Sequence, residues 1–276
     1  MTGEKNLGAA GAPGAAPAVE KSPRAATLRS ALAAEALKHR HAAPLRLAVV
    51  MALPMPLLGA MPGPYGQSFS AWNYWYTLFL PVTLALVAGC VAQADARTRN
   101  RALLGAGASL SRAWWAKALV CLGLSALSNL IVCAIYALGA CLAPGGLTPA
   151  GLATMLCAAL AVTLTSAWMI PAGLFLTARA GLLAGIFLPL AVQVAGAFAW
   201  SLIPLPQLFP PSATVVVPTS FIPVLPSGEP LAADTVLGGA LASDGTLAWA
   251  GIAVGALAFV LLAAVTAAWF DRSEEL

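Results

Sequence analysis

The chain has 276 residues, of which 60% are hydrophobic and only 9% are charged. Soluble domains carry roughly 25% charged residues, so this composition excludes a water-soluble globular protein and predicts an integral membrane protein. The length suffices for about six helical spans of roughly 20 residues each with short loops. The basic residues behind the net charge of +4 flank apolar segments and form no separate soluble cluster, so no nucleic-acid partner is expected.

The N-terminal region divides into a tail and a helix. Residues 1–22 are rich in Ala, Gly and Pro and lack the apolar core of a signal peptide, which predicts a disordered cytoplasmic tail. Ser22 and Pro23 suit an N-cap and a first helical position, so a helix is expected over 23–41. A weak apolar stripe and several basic residues favour an amphipathic interfacial helix on anionic lipid, with a solvated helix as the alternative. The stripe consists of Leu28, Ala31, Leu32 and Glu35.

The apolar segments that follow predict an all-α integral membrane protein with six transmembrane helices. Together with the N-terminal helix they form one membrane domain, residues 23–270. Pro54 and Pro56 should kink the first span, and Pro81 should interrupt the second. An aromatic belt is expected at the outer end of the second span, formed by Trp72, Tyr74, Trp75 and Tyr76. The spans are expected at about 45–61, 72–92, 113–141, 150–176, 181–203 and 247–270, followed by a cytoplasmic tail at 271–276.

The orientation follows from residues 93–117, the long polar interruption between the second and third spans. This stretch has one acid, Asp95, among several basic residues, and loops this basic stay in the cytoplasm. None of the 14 lysines and arginines falls in a predicted outer loop. We therefore expect a multi-pass protein of the cytoplasmic (inner) membrane with both termini in the cytoplasm. The basic residues of this stretch are Arg97, Arg99, Arg101, Arg112 and Lys117.

Chemistry that several functions require is missing from the sequence. No Asp, Glu, Lys, Arg or His lies well inside a predicted span, which argues against proton-coupled carriers, ion pumps and voltage sensors. The sequence contains no GxxxxGK[ST] phosphate loop, so this chain is not expected to hydrolyse ATP in that way.

The histidines and cysteines do not form a recognisable site. His39 and His41 lie in the polar N-terminal helix, where Glu35, one turn before His39, is the nearest acid. The five cysteines show no CxxC or Cys/His spacing and are interpreted as small buried hydrophobes. No catalytic residue and no metal site are assigned, and the chain is not expected to be an enzyme.

Uncharged amides are the polar residues of interest within the spans. Asn73 begins the second span, and Asn129 and Gln193 fall near the middle of theirs, where an unsatisfied amide is costly. Each should face protein or a wet cavity, so these residues either form interhelical hydrogen bonds or line a substrate path. Two glycine pairs also predict close helix packing or a dimer contact: Gly181 with Gly185, and Gly251 with Gly255.

Residues 204–246 form a long proline-rich connection before the last span. This length is unusual for a structureless loop and predicts a packed outer cap or a membrane-dipping element. Its ionisable residues are all acidic, which favours a cationic substrate at the outer face, although the positive-inside rule alone also removes Lys and Arg from outer loops. These acids are Glu229, Asp234 and Asp244.

Several segments resemble a known transporter family. They are AAEALKHR (33–40), FSAWNYWYTLFLP (69–81), LLGAGASLSRAWWAK (103–117), IPLPQLFPPS (203–212) and LPSGEPL (225–231). With the span layout, they resemble the permease subunits of type-2 ABC exporters, and more narrowly those of lantibiotic-immunity ABC transporters. The resemblance covers most of residues 24–270.

The resemblance implies a separate ATPase subunit that carries ATP and magnesium, whereas this chain binds no cofactor. The N-terminal helix and the basic loop would dock on that subunit. Glycines and alanines at Gly105–Gly107 stand where a firmer turn or proline is usual, which leaves the contact helix undetermined. The implied coupling residues are Glu35, Lys38, Arg97, Arg99, Arg101, Ser111, Arg112 and Lys117.

The resemblance also implies a second permease, as a homodimer or heterodimer, and a lantibiotic-like cationic peptide expelled from the membrane for self-immunity. Two alternatives remain at this point. The first is an ABC permease for another small molecule or a lipid, and the second is a membrane enzyme or assembly factor that works without an ATPase.

Overall fold

A computed structural model describes residues 27–60, 69–96, 109–143, 146–230 and 245–273. Within these ranges the chain is helical, and the single β-type contact is an isolated bridge between Val224 and Pro230. The helices in chain order are α1 (Leu28–His39), α2 (Ala43–Met51), α3 (Pro54–Ala60), α4 (Ser70–Tyr74), a π-helix (Trp75–Phe79), α5 (Leu80–Ala96), α6 (Leu110–Leu142), α7 (Pro149–Ser166), α8 (Met169–Ala180), α9 (Leu182–Phe198), α10 (Pro210–Val216) and α11 (Gly245–Ser273).

Five helical stretches are long and apolar enough to cross a membrane, so the chain is a multi-pass α-helical membrane protein by length and composition. The predicted fifth span, 181–203, corresponds to α9, whose 17 residues fall short of the roughly 20 that a span needs. The five stretches are Ala43–Ala60, Ser70–Ala94, Leu110–Leu142, Pro149–Ala180 and Gly245–Arg272.

The N-terminal helix begins later than the sequence predicted. Thr27 has extended backbone, and its Oγ1 accepts a hydrogen bond from the Ser30 N–H at 3.2 Å, so Thr27 is the N-cap of α1. The proposed N-cap Ser22 and the predicted tail at 1–22 lie outside the described residues.

Proline explains the interruptions of three helical stretches. A proline lacks the backbone N–H, and its ring clashes with the carbonyl four residues earlier. The first stretch breaks before Pro54, as predicted, and the second passes through the π-helix just before Pro81. The fourth breaks between α7 and α8, just before Pro171. This break was not predicted from the sequence.

The aromatic belt predicted for the second span is wrong for most of its members. Trp72, Trp75 and Tyr76 are buried inside the helix bundle, and only Tyr74 is exposed, at 48%. The Trp72 ring packs at 4.8 Å from the ring of Tyr136 on α6, centroid to centroid. These rings therefore contribute to the protein core and do not form an interfacial belt.

Helices α5, α8 and α9 pack closely through small residues. A Cβ atom added at Gly185 would lie 2.7 Å from the Thr177 nitrogen and 2.8 Å from the Gly173 oxygen, so the backbones of α8 and α9 are in direct contact. A Cβ at Gly173 would lie 3.1 Å from the Ala88 Cβ of α5 and 3.4 Å from the Gly185 oxygen of α9, so the three helices meet at this residue. A Cβ at Gly89 of α5 would lie 2.9 Å from Leu182 Cδ1 of α9, and we call Gly89, Gly173 and Gly185 the glycine seam.

The predicted glycine pairs have different roles. Gly251 and Gly255 of α11 allow close approach, because a Cβ would lie 2.7 Å from the Gln207 oxygen or from the Thr165 Cα. Gly181, by contrast, has a φ of 93° and makes the turn between α8 and α9. Close packing is thus confirmed at three of the four glycines.

Residues 204–230, which we call the proline-rich segment, pack partly inside the bundle: residues 211–219 are buried, whereas Leu205, Leu208 and Phe209 are exposed. A short 3₁₀ turn, Pro206–Leu208, leads into α10, which is buried from Pro211 to Val216 and contacts α7, α9 and α11. The prediction of a packed element is therefore confirmed for residues 211–219, whereas an outer cap or a membrane-dipping element stays a prediction and residues 231–244 lie outside the described residues. Asp234 and Asp244 lie outside the described residues, whereas Glu229 is exposed.

Candidate functional site: buried amides and a charged helix junction

Asn129 joins three helical elements through its side-chain amide. Its Oδ1 accepts a hydrogen bond from Trp75 Nε1 of the π-helix at 2.9 Å. Its Nδ2 donates to Thr163 Oγ1 of α7 at 3.0 Å and to the Ser125 carbonyl at 3.1 Å. The side chain is 1% exposed, so Asn129 is a satisfied interhelical hydrogen-bonding residue in this conformation.

Gln193 connects α9 to two irregular places in the chain. Its Oε1 accepts a hydrogen bond from Trp168 Nε1, at the break between α7 and α8, at 3.1 Å. Its Nε2 donates to the carbonyl of Pro211, in the first turn of α10, at 2.9 Å. Gln193 is fully buried, so its amide is occupied by protein on both sides.

Asn73 fastens the proline-rich segment to the start of the second span. Its Nδ2 donates to the Leu225 and Pro226 carbonyls at 3.3 and 3.4 Å, and to Tyr76 Oη at 2.9 Å. The segment approaches so closely that a Cβ at Gly228 would lie 3.3 Å from Asn73 Oδ1, and Gly228 has a φ of 91°. The positive φ favours glycine here, and a side chain would also crowd Asn73.

The three amides all have protein partners, which is the arrangement expected of interhelical hydrogen bonds. The alternative hypothesis, that they line a substrate path, stays a prediction about another conformation. The sequence reading did not identify the partners Trp75, Trp168 and Thr163. The available signal was that an indole N–H inside a span needs an acceptor.

A second group of polar residues lies where α1 packs on α6. Glu35 and His39 of α1 and Lys117 of α6 are 8%, 4% and 3% exposed. Lys38 Nζ lies 3.4 Å from Glu35 Oε2, and Lys117 Nζ lies 5.6 Å from the ring centre of Phe270 on α11. We call Glu35, Lys38, His39 and Lys117 the charged junction.

The implied coupling residues therefore differ in accessibility. Glu35 and Lys117 are buried, the Lys38 side chain is 34% exposed, and Arg112 is exposed in the first turn of α6. Ser111 is half-buried beside it, and Ser109 caps the helix by accepting a hydrogen bond from the Arg112 N–H at 3.4 Å. The remaining coupling residues, Arg97, Arg99 and Arg101, lie outside the described residues.

One groove of about 450 Å³ lies between α6 and α7 and has an entirely apolar lining that includes Leu130, Leu138 and Leu156. Its walls also carry Cys133 and Cys141. The prediction that all five cysteines are buried is confirmed for Cys121 and Cys133, holds in part for the half-buried Cys90 and Cys157, and is wrong for the exposed Cys141. In the described part of the chain, no three His, Cys, Asp or Glu residues converge in a way that could hold a metal ion.

Comparisons of the chain with protein-family models, with curated proteins and with solved structures found no match. The resemblance to exporter permeases therefore rests on the sequence segments alone.

Proposed function

We propose that this chain is the membrane-spanning subunit of an ABC exporter and that a separate ATPase, with ATP and magnesium, supplies the energy. The proposal is supported by a multi-pass helical architecture and by a sequence without a phosphate loop. The observation that carries most weight is the packing of α1, whose buried residues are Glu35 and His39, against the membrane-crossing helix α6. A force on α1 would pass to α6 as a rigid-body movement.

We propose different roles for the exposed and the buried coupling residues. Lys38 and Arg112 are available to a partner surface, and we propose that they contact the ATPase, together with Arg97, Arg99 and Arg101 and with the half-buried Ser111. Glu35 of α1 and Lys117 of α6 are buried, so in this proposal they transmit the contact within this chain. The basic end of the bundle lies in the cytoplasm in this proposal.

The proposed substrate is a cationic, lantibiotic-like peptide, expelled from the membrane by a pair of permeases. The ionisable residues of the proline-rich connection are all acidic, which supports a cationic substrate. Glu229 is exposed, and Asp234 and Asp244 follow in the sequence. A lipid is the second candidate, favoured by the apolar groove between α6 and α7. Both candidates require the same ATPase partner.

A mild-detergent pull-down of the tagged chain tests the proposal. We expect a phosphate-loop ATPase to copurify, with or without a second permease. A monodisperse chain alone, under conditions that preserve known membrane complexes, would contradict the exporter proposal.

A charge reversal at Arg112 then tests the contact. Arg112→Glu should lower stimulation of the partner's ATPase while the chain stays folded, because Arg112 is exposed in the first turn of α6. Arg272→Glu is the matched control, since Arg272 is also an exposed arginine but lies outside the proposed contact. Equal coupling in both variants would remove Arg112 from the interface.

A further inference from the structure

In the described part of the chain, three helical stretches depart from regular α-helix. Residues 52–53 separate α2 from α3, the π-helix covers Trp75–Phe79, and residues 167–168 separate α7 from α8. We call these three places the interruptions. By contrast, α6 runs unbroken from Leu110 to Leu142 and contacts α2, α5 and α7. A helix bends most easily where its regular hydrogen bonding is interrupted, so the bundle has three bending points beside one continuous helix.

Asn129 of α6 contacts two of the interruptions at once. Trp75, whose Nε1 donates to Asn129 Oδ1 at 2.9 Å, is the first residue of the π-helix. Thr163, whose Oγ1 accepts from Asn129 Nδ2 at 3.0 Å, lies one helical turn before the break at 167–168. The amide is planar, so a displacement of either partner rotates the plane and disturbs the bond to the other.

The preceding residue, Ser128, reaches the third interruption. Its Oγ lies 2.8 Å from the Ala48 carbonyl oxygen of α2 and 3.0 Å from the Leu124 carbonyl oxygen of its own helix. Ala48 lies one helical turn before the break at 52–53. A hydroxyl has one proton, so the bond to α2 can be exchanged for the bond within α6 without leaving an unsatisfied donor. The contact between α6 and α2 is therefore reversible.

These contacts are shielded from water. Ala48, Trp75 and Ser128 are fully buried, and Asn129 and Thr163 are 1% and 5% exposed. Solvent therefore cannot replace a partner that moves away, and a buried amide that loses its partner is costly. The two neighbouring side chains of α6 favour the conformation in which all three partners are in place.

The proline-rich segment is attached beside two of the same interruptions. Asn73, two residues before the π-helix, donates to the Leu225 carbonyl of this segment at 3.3 Å. Trp168, which lies in the break between α7 and α8, donates to Gln193 at 3.1 Å, and Gln193 in turn donates to the Pro211 carbonyl at 2.9 Å. A bend at either interruption would therefore displace the proline-rich segment.

We propose that Ser128 and Asn129 form a hinge clamp on α6, which makes the three interruptions bend together and not one at a time. With the clamp closed, the first, second and fourth helical stretches keep their present bends. When it opens, the helices on the two sides of each interruption change their angles as one set. The clamp is a property of this chain alone and does not depend on transport or on an ATPase.

Amide hydrogen exchange of the detergent-purified full chain, followed by mass spectrometry, measures opening at each interruption. Asn129→Leu removes both interhelical amide bonds, and we expect exchange to rise about fivefold or more in the peptides that span the three interruptions. The rise at 52–53 is decisive, because the contact there is made by Ser128, which is unchanged in this variant.

The matched control is Leu130→Ala, at the next residue of α6, whose side chain is 51% exposed. It should leave exchange at all three interruptions within about twofold of the parent. Exchange in α11 should stay within about twofold of the parent in both variants, since opening at the interruptions is local.

Three results with Asn129→Leu would overturn the clamp. A rise at only one or two interruptions would mean that the stretches bend independently, and an equal rise in α11 would mean general loosening of the bundle. No rise at all would mean that shape alone holds the bends.

If Asn129→Leu does not fold, Thr163→Val provides the same test, because valine keeps the branched shape of threonine without the hydroxyl. The loss of one interhelical bond should then raise exchange about threefold at all three interruptions. A rise confined to 167–168 would overturn the clamp.

Discussion

The glycine seam and the proline-rich segment pack in the same bundle by different means. At the seam, α8 and α9 approach until the Gly173 and Gly185 backbones touch, and the contact needs no side-chain hydrogen bond. The proline-rich segment is instead held by side-chain donors: Gln193 bonds the Pro211 carbonyl, and Asn73 bonds the Leu225 and Pro226 carbonyls.

The difference follows from how each backbone satisfies its own polar groups. A regular helix bonds its N–H and C=O groups internally, so its packing depends on shape alone. A proline-rich chain leaves carbonyls without internal donors, and inside a membrane protein these carbonyls need a partner from elsewhere. Close packing in this bundle therefore depends on glycine where helices are regular and on amides where they are not.

The largest expected effect is at the seam. Gly185→Ala places a Cβ against Thr177 and the Gly173 carbonyl, and overpacking of backbone against backbone should cost about 2–3 kcal/mol of unfolding free energy. Thermal unfolding of the detergent-purified chain measures this loss. Gly123→Ala is the matched control, because a Cβ there meets no atom within 4 Å, and stability should stay level or rise. Equal stability of the two variants would contradict direct backbone contact.

The second-largest loss of stability is expected where Gln193 holds α10. Gln193→Leu leaves the buried Pro211 carbonyl and Trp168 indole N–H without their partner, at a cost of about 1–3 kcal/mol. Unfolding measurements should show this loss, whereas the neighbouring Val192→Leu, at an exposed position, should remain within about 0.5 kcal/mol of the parent. A stable Gln193→Leu chain would mean that the amide does not fasten the segment.

The smallest effect is expected at Asn73. Its bonds to the Leu225 and Pro226 carbonyls are longer than the Gln193 bond, so Asn73→Ala should cost about 1 kcal/mol. Limited proteolysis should then cut near Leu225 faster than in the parent chain. Tyr74→Phe, beside it on the exposed side, serves as the control and should leave cleavage unchanged. A resistant Asn73→Ala segment would show that packing alone holds it.

Part of the site was accessible to sequence reasoning because the relevant cost is local. An amide near the middle of an apolar span, such as Asn129 or Gln193, requires a partner wherever it lies, so its importance could be predicted. Which partner it finds could not be predicted, since Trp75 lies 54 residues before Asn129 and Pro211 lies in α10, a different element from Gln193. The same limit applies to Glu35 and Lys117, whose burial depends on how α1 meets α6.

Composition and hydrophobic length by themselves determined an all-helical, multi-pass membrane protein, because a span of about 20 apolar residues identifies itself without reference to its neighbours. Prolines likewise determined the breaks at Pro54 and Pro81 through local backbone geometry. Only the tertiary structure decided that the aromatic residues of the second span turn inward, that the proline-rich segment packs between α7, α9 and α11, and that α1 buries its charged side. These features depend on which surfaces meet, and a buried polar group takes whichever partner that meeting supplies.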